Sequence, residues 1–169
     1  MPVSADHFRT ALSRLAAGVS VISTACGSER RGITATAVCS LSASPPRLLV
    51  CVNTTTGTCK MIEEAGWFAV NLLGEDQLSL AEVFAGRGGI QGNDRFLHGA
   101  WSVGDYGGQP VLAGALAALE CRVDQIVQSG THAIFIGVVE STTFAEARPL
   151  IYQAGQFHKL PIEVAAAAQ

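Results

Sequence analysis

The sequence predicts a mainly β fold with a few helices, built on an antiparallel sheet closed into a barrel. Three observations predict it. The last third holds three consecutive strand candidates, ALAALECRVDQIVQ (115–128), HAIFIGVVESTTF (132–144) and PLIYQAGQF (149–157), with hairpin-like breaks such as QSGT between them. The stretch GITATAVCSLSASPP, Gly32 to Pro46, alternates two kinds of side chain as a strand does. The helical patterns are too few and too clustered for a regular alternation of strand and helix.

Read forward, Ser4 is expected to cap a short helix, with Asp6 in its first turn and Phe8, Leu12, Leu15 and Ala16 at helical spacing before Gly18 stops it. Strand signals follow in VSVIST (19–24), the turn CGSERRG, the Gly32–Pro46 stretch and, past a Pro-Pro break, RLLVCVN (47–53). A second helix is expected over CKMIEEAG (59–66), a strand over WFAVNLL (67–73) and a third helix over DQLSLAEVFAG (76–86). The glycine-rich RGGIQGNDRF after it reads as a mobile loop. No linker, charge block or repeat interrupts the chain, so one domain is expected over residues 1–169: a helical lead at about 4–17, a barrel at about 19–160 and a short tail at 161–169, its VAAAAQ frayed or capping a helix.

Of the 169 residues, 49% are apolar and only 15% charged, against a usual charged share of roughly a quarter. A surface this poor in charge is expected to be partly covered, and a homodimer covers it most simply. The net charge of −3 leaves no basic stripe for phosphates, so neither nucleic acid nor an anionic membrane is an expected partner. MPVSADHFRTALSRL carries charges where a secretory signal needs an apolar run, and runs such as AIFIGVV are too short to span a bilayer. Five cysteines, odd in number and without a CxxC, fit a reducing, cytoplasmic setting. Cys39, Cys51 and Cys121 read as small buried hydrophobes. Cys59 opens the second helix, where a thiolate is favoured, although a plain, partly buried thiol is the simpler reading.

In Gly32–Pro46 the residues Ile33, Ala35, Ala37, Cys39 and Leu41 fall on one face, and Thr34, Thr36, Ser40 and Ser42 on the other, interrupted by Val38. An uncharged, hydroxyl-lined face suits a flat polar ligand. Downstream, Asn53-Thr54-Thr55-Thr56-Gly57-Thr58 precedes a helix, whose free N–H groups and dipole favour an anion. The alternative is a plain loop in which Thr58 caps that helix. Lys60, a cation in the first turn, is at home there only beside an anion. Together the two elements fit a planar ring joined to a phosphate, the shape of a flavin nucleotide. A dinucleotide bound in Rossmann fashion needs GxGxxG between strand and helix, and GRGGIQG lacks that context. His7, His98, His132 and His158 have no metal-site spacing, and no GxSxG elbow occurs. His132 leads the face carrying Ile134, Ile136 and Val138, either as a satisfied rim residue or as a group closing over a stacked ligand.

With GITATAVCSLSASPPRLLVCVN, WFAVNLL, VFAG, NDRF, LECRV, GTHAIFIGVVE and PLIYQAGQF in that order from Phe8 to Leu160, the chain resembles the flavin reductase components of two-component flavin-dependent monooxygenases. The resemblance implies an FMN-binding type of split β-barrel, a homodimer, and NADH- or NADPH-dependent reduction of FMN or FAD that leaves to serve a separate monooxygenase. It implies that Thr34, Ala35, Thr36, Ala37 and Ser40 line the ring and ribityl chain, and that Cys51, Val52, Asn53, Thr54, Thr55, Thr56, Gly57 and Thr58 hold the phosphate region. Phe84, Ala85, Gly86, Arg87 and Arg95 would lie near the far end. His132 would position the nicotinamide, helped by Tyr152, Gln153 and Gly155. Thr131 stands where many relatives carry Asp, and Ala37 where many carry a hydroxyl. A pocket sparse in charge would let the flavin exchange readily. The alternative from another class is a non-enzymatic flavin-binding or electron-transfer module on the same barrel.

Overall fold

In the computed structural model, which describes residues 2–161, Ser4 caps helix α1 (Ala5–Leu12) by accepting the His7 N–H at 3.2 Å. The helix ends at Ser13 rather than running to Gly18. The Ser13 hydroxyl turns back to donate to the Thr10 carbonyl at 2.8 Å, and the next two N–H groups close tighter turns. None of the residues of α1 is buried.

The chain then runs through β1 (Ala17–Gly18), β2 (Ser20–Cys26), β3 (Glu29–Ala35), β4 (Val38–Ala43), β5 (Pro46–Asn53), α2 (Gly57–Ala65), β6 (Trp67–Leu72) and α3 (Leu78–Phe84). Two 3₁₀ turns, Arg87–Gly89 and Gly92–Leu97, replace the expected mobile loop. After them come β7 (Trp101–Val103), β8 (Pro110–Leu112), β9 (Ala117–Ser129), β10 (His132–Phe144), β11 (Leu150–Gln153) and β12 (Gln156–Lys159). The last expected strand is thus a hairpin, β11–β12, turning at Ala154 and Gly155, both at positive φ. The VAAAAQ tail lies outside the described residues.

Seven strands form one antiparallel sheet in the order β3-β2-β6-β9-β10-β5-β4. Its two edges, β3 and β4, are consecutive in the chain and joined by Thr36 and Ala37 alone. Three Cα steps reach at most about 11 Å, so the sheet must curl until its edges meet, yet β3 and β4 do not pair. The barrel is therefore split at Thr36–Ala37. β1, β11 and β12 form a second sheet beside it, and β7–β8 a hairpin.

This split corrects the single-strand reading of Gly32–Pro46. The two-residue break changes the parity of the alternation: Ile33, Ala35 and Val38 pack on the core, whereas Cys39 and Leu41 are exposed. Cys39 is accordingly no buried hydrophobe, because its strand faces the other way past the break.

Phe68, Phe135, Ile22, Ile62, Val50 and Val52 fill the barrel, with α2 contributing Cys59 and Ile62. Strand β10 shows why: Ala133, Phe135 and Gly137 point inward, and Ile134, Ile136 and Val138 stay half-buried on the outer face. Gly137 is required by packing, since a Cβ there would lie 2.7 Å from Phe68 Cζ and 2.9 Å from Cys121 Cβ. A second cluster around Val19, Val21, Phe84, Leu73, Leu112 and Leu150 lies beneath α3. Among the described residues no helix is long and apolar enough to cross a membrane.

Candidate functional site

The corner after β5 is built by its own hydroxyls. Asn53 Oδ1 accepts the Thr55 N–H at 2.9 Å and the Thr55 hydroxyl at 2.8 Å. Thr54 donates its N–H and hydroxyl to the Thr131 carbonyl at 3.1 and 3.2 Å, tying the corner to the β9–β10 turn. Thr56, not Thr58, caps α2: its hydroxyl accepts the Cys59 N–H at 3.2 Å and donates to the Asn53 carbonyl at 2.8 Å. These bonds occupy three of the four threonines. Thr58 is only 4% exposed, and its hydroxyl takes no part in the bonds that build the corner.

Thr58 opens into a cleft of about 390 Å³ with Thr56, Gly57, Gly32, Ile33, Phe84, Ala85 and Arg95, and with Arg31, Gln91 and Gly92. A second cleft, about 220 Å³, lies along Ile33–Ala37, opposite Cys51, Val52, Asn53 and His132. A third, about 320 Å³, is lined by Val19, Thr34–Thr36, Ala85, Arg87, Tyr152 and Phe157. The first two share Ile33, the first and third share Ala85, and the last two share Thr34–Thr36. They form one trough along β3 and the split. The Thr34 hydroxyl donates to the Ala81 carbonyl at 2.7 Å, fixing α3 against that trough.

The residues expected at the site are brought together unequally. Thr34–Ala37, Cys51–Asn53, Thr56–Thr58, Phe84, Ala85, Arg87, Arg95 and His132 all line the trough. Ser40 does not; it is exposed on β4 opposite Leu48, beyond the break. Thr54 and Thr55 shape the corner without lining a cleft. Gly86, at φ 89°, makes the turn between Ala85 and Arg87. Of the nicotinamide set, His132 and Tyr152 line clefts on the two sides of Thr34–Thr36. Gln153 instead donates to the Arg14 carbonyl at 2.8 Å, and Gly155 forms the β11–β12 turn.

His132 pairs in register with Asn53, which places it at the corner, and its Nδ1 lies 2.8 Å from Thr131 Oγ1. The departure at Thr131 therefore still supplies a hydrogen-bond partner to the ring.

The first cleft is not sparse in charge. Arg95 donates Nε to the Ile90 carbonyl at 2.9 Å and Nη1 to the Gly32 and Phe84 carbonyls at 3.0 and 3.1 Å. It thus pins the 3₁₀ turns to β3 and α3, and its burial lowers its pKa. Arg31 reaches the same cleft from β3. Neither its role nor those of Gln91, Gly92, Val19 and Phe157 was legible in sequence, because they come from segments far apart in the chain. The alternation of β3 puts Arg31 with Ile33 and Ala35, on the face opposite Thr34 and Thr36, so only the fold brings it to the cleft.

The α2 start does not activate Cys59: burial, then the Glu63 charge, push that thiol up. Burial likewise raises Cys51, and raises Cys121 to about 12 together with Glu120 and Glu140. Among the described residues no group of three His, Cys, Asp or Glu could hold a metal.

Residues 12–161 match the model of the flavin reductase like domain. The chain is 43% identical over 166 residues to the FMN reductase (NADH) RutF of Pseudomonas syringae pv. syringae, covering 98% of this chain and 92% of that one. It is 37% identical over 161 residues to the 4-hydroxyphenylacetate 3-monooxygenase reductase component of Salmonella dublin, covering 95% and 94%. The NADH:FAD oxidoreductase SgcE6 of Streptomyces globisporus superposes with a TM-score of 0.88 at 30% identity, covering 96% of each chain. A split barrel with a trough along its opening, matched over nearly its whole length, places the chain in the flavin reductase-like domain family.

Proposed function

We propose that the protein is a flavin reductase: it takes hydride from NADH or NADPH, reduces FMN or FAD, and releases the product to a separate monooxygenase. The observation that carries this reading is the continuity of the trough from the α2 N-terminus to His132. The residues fit a flavin nucleotide. The Thr58 hydroxyl in the cleft, the N–H groups that open α2 and the absence of an acidic residue in its first turn suit its phosphate. The uncharged Thr34–Ala37 wall suits its ring.

When bound, the flavin supplies the two-electron acceptor. The protein's part is placement and exclusion. Thr34–Ala37 present a smooth wall, and Cys51–Asn53 close the facing side. His132 stands at the mouth of that cleft to orient a second ring. The Thr131 hydroxyl and His132 Nδ1 share a hydrogen bond; with the hydroxyl as donor, Nε2 would carry the imidazole proton and would be the group to bind the donor's carboxamide. The test is nicotinamide oxidation with and without added FMN, FAD or riboflavin. Oxidation that depends on added flavin, with reduced flavin passed to a trap, supports the reductase. A tight yellow complex without turnover would favour the electron-transfer module instead.

We also infer a homodimer acting in the cytoplasm. The outer apolar face of β10, together with exposed Leu41, Ile126 and Val127, offers a surface to cover, and the low charge content agrees. Light scattering is expected to return twice the 17.6 kDa chain mass; a monomer at micromolar concentration contradicts it.

A further inference from the structure

Arg31 leaves β3 across the mouth of the first cleft. Its Nε and Cδ lie 3.5 and 3.6 Å from where a Cβ on Gly57 would sit, and its Nη1 lies 3.5 Å from the same position on Gly92. The guanidinium therefore spans the gap between the α2 N-terminus and the Gly92 turn. It is already engaged there: Nη1 meets Glu29 Oε2 at 2.8 Å and the Arg30 carbonyl at 2.9 Å. Glu29 and Arg31 are two apart on one strand, so both project to one face. The two cations of the cleft thus differ in kind. Arg95 is locked to three backbone carbonyls, whereas the Arg31 side chain is one-third exposed and held by a carboxylate itself 56% exposed.

We infer that Glu29 is a positioning residue that competes with the flavin phosphate for Arg31, and so sets how readily the flavin leaves. This rests on the reading that the phosphate end lies in the first cleft. An incoming phosphate finds a cation whose charge is partly answered, and each binding event must share or displace the Glu29 contact. An exposed ion pair is weak enough to exchange. A phosphate bound to a free arginine fork would stay longer. Because differences in affinity within one site lie mostly in the off-rate, the carboxylate acts chiefly on release. For an enzyme whose product must depart, that contact favours turnover.

The experiment measures binding and release of FMN, and of riboflavin as the probe without phosphate, for the full chain and its variants. Glu29→Gln is expected to tighten FMN about fivefold, through slower release, with riboflavin unchanged. Glu29→Asp should behave nearly as the unaltered protein. Arg31→Ala is expected to weaken FMN about tenfold and leave riboflavin alone. In the Arg31→Ala background Glu29→Gln should lose most of its effect. An unchanged FMN off-rate in Glu29→Gln, an equal gain for riboflavin, or the same gain without Arg31 overturns the proposal. The underlying reading fails separately. If Thr58→Val and Arg31→Ala both leave the FMN-to-riboflavin ratio untouched, the phosphate is not in this cleft. If Thr58→Val alone shifts it, the phosphate is there and the Glu29–Arg31 competition is wrong.

Discussion

Asn71→Ala is expected to destabilise the fold by about 3–5 kcal/mol, read as a lowered midpoint of urea unfolding at fixed protein concentration. Asn71 lies on β6 and is fully buried. Its Nδ2 donates to the Val21 carbonyl at 3.0 Å and to Ser23 Oγ at 2.9 Å, while its Oδ1 accepts the Leu112 N–H at 2.8 Å. Ser23 Oγ in turn donates to the Pro110 carbonyl at 2.5 Å. One amide therefore fastens the β7–β8 hairpin to two barrel strands. Truncation strands several buried polar groups at once, each losing its partner without regaining water. Leu112 packs in the cluster with Phe84, so loosening it also disturbs the α3 end that lines the trough. A loss below about 1 kcal/mol would mean that water replaces the amide, and the network would not have the anchoring role assigned here.

His132→Ala is expected to lower kcat/KM for the nicotinamide donor by about tenfold to a hundredfold while changing FMN affinity by less than about twofold. His132 is exposed at the start of β10, where it lines the second cleft, while the threonine corner is held by other residues. Removing it takes away an orienting donor and leaves the Thr56–Thr58 cradle intact. Equal losses in the donor and flavin titrations would show that the residue shapes the flavin pocket rather than the second ring. Thr131→Val should reproduce part of the effect, since it deletes the contact to Nδ1.

Much of the architecture was legible in the chain. The β10 strand falls where HAIFIGVVESTTF predicts it, because period-two alternation over a long segment is a strong signal. Ser4 caps its helix as expected, since capping depends on local hydrogen bonding alone. Errors arose where local signals were ambiguous. Gly32–Pro46 reads as one strand because nothing in its composition marks Thr36–Ala37 as the point where the barrel opens. Thr56 caps α2 although Thr58 offers the same side chain, and only the geometry of the Asn53 turn decides between them.

The sequence by itself determined the strand periodicity, the hydroxyl-rich wall and the threonine corner, because these depend on neighbours in the chain. Tertiary structure alone decided that Arg31 of β3, Arg95 of a 3₁₀ turn and Thr58 of α2 share one cleft, and that Ser40 does not reach it. The physical reason is the curl of a sheet whose edge strands are joined by two residues: it brings distant segments together at the split and turns the strand beyond the break outward.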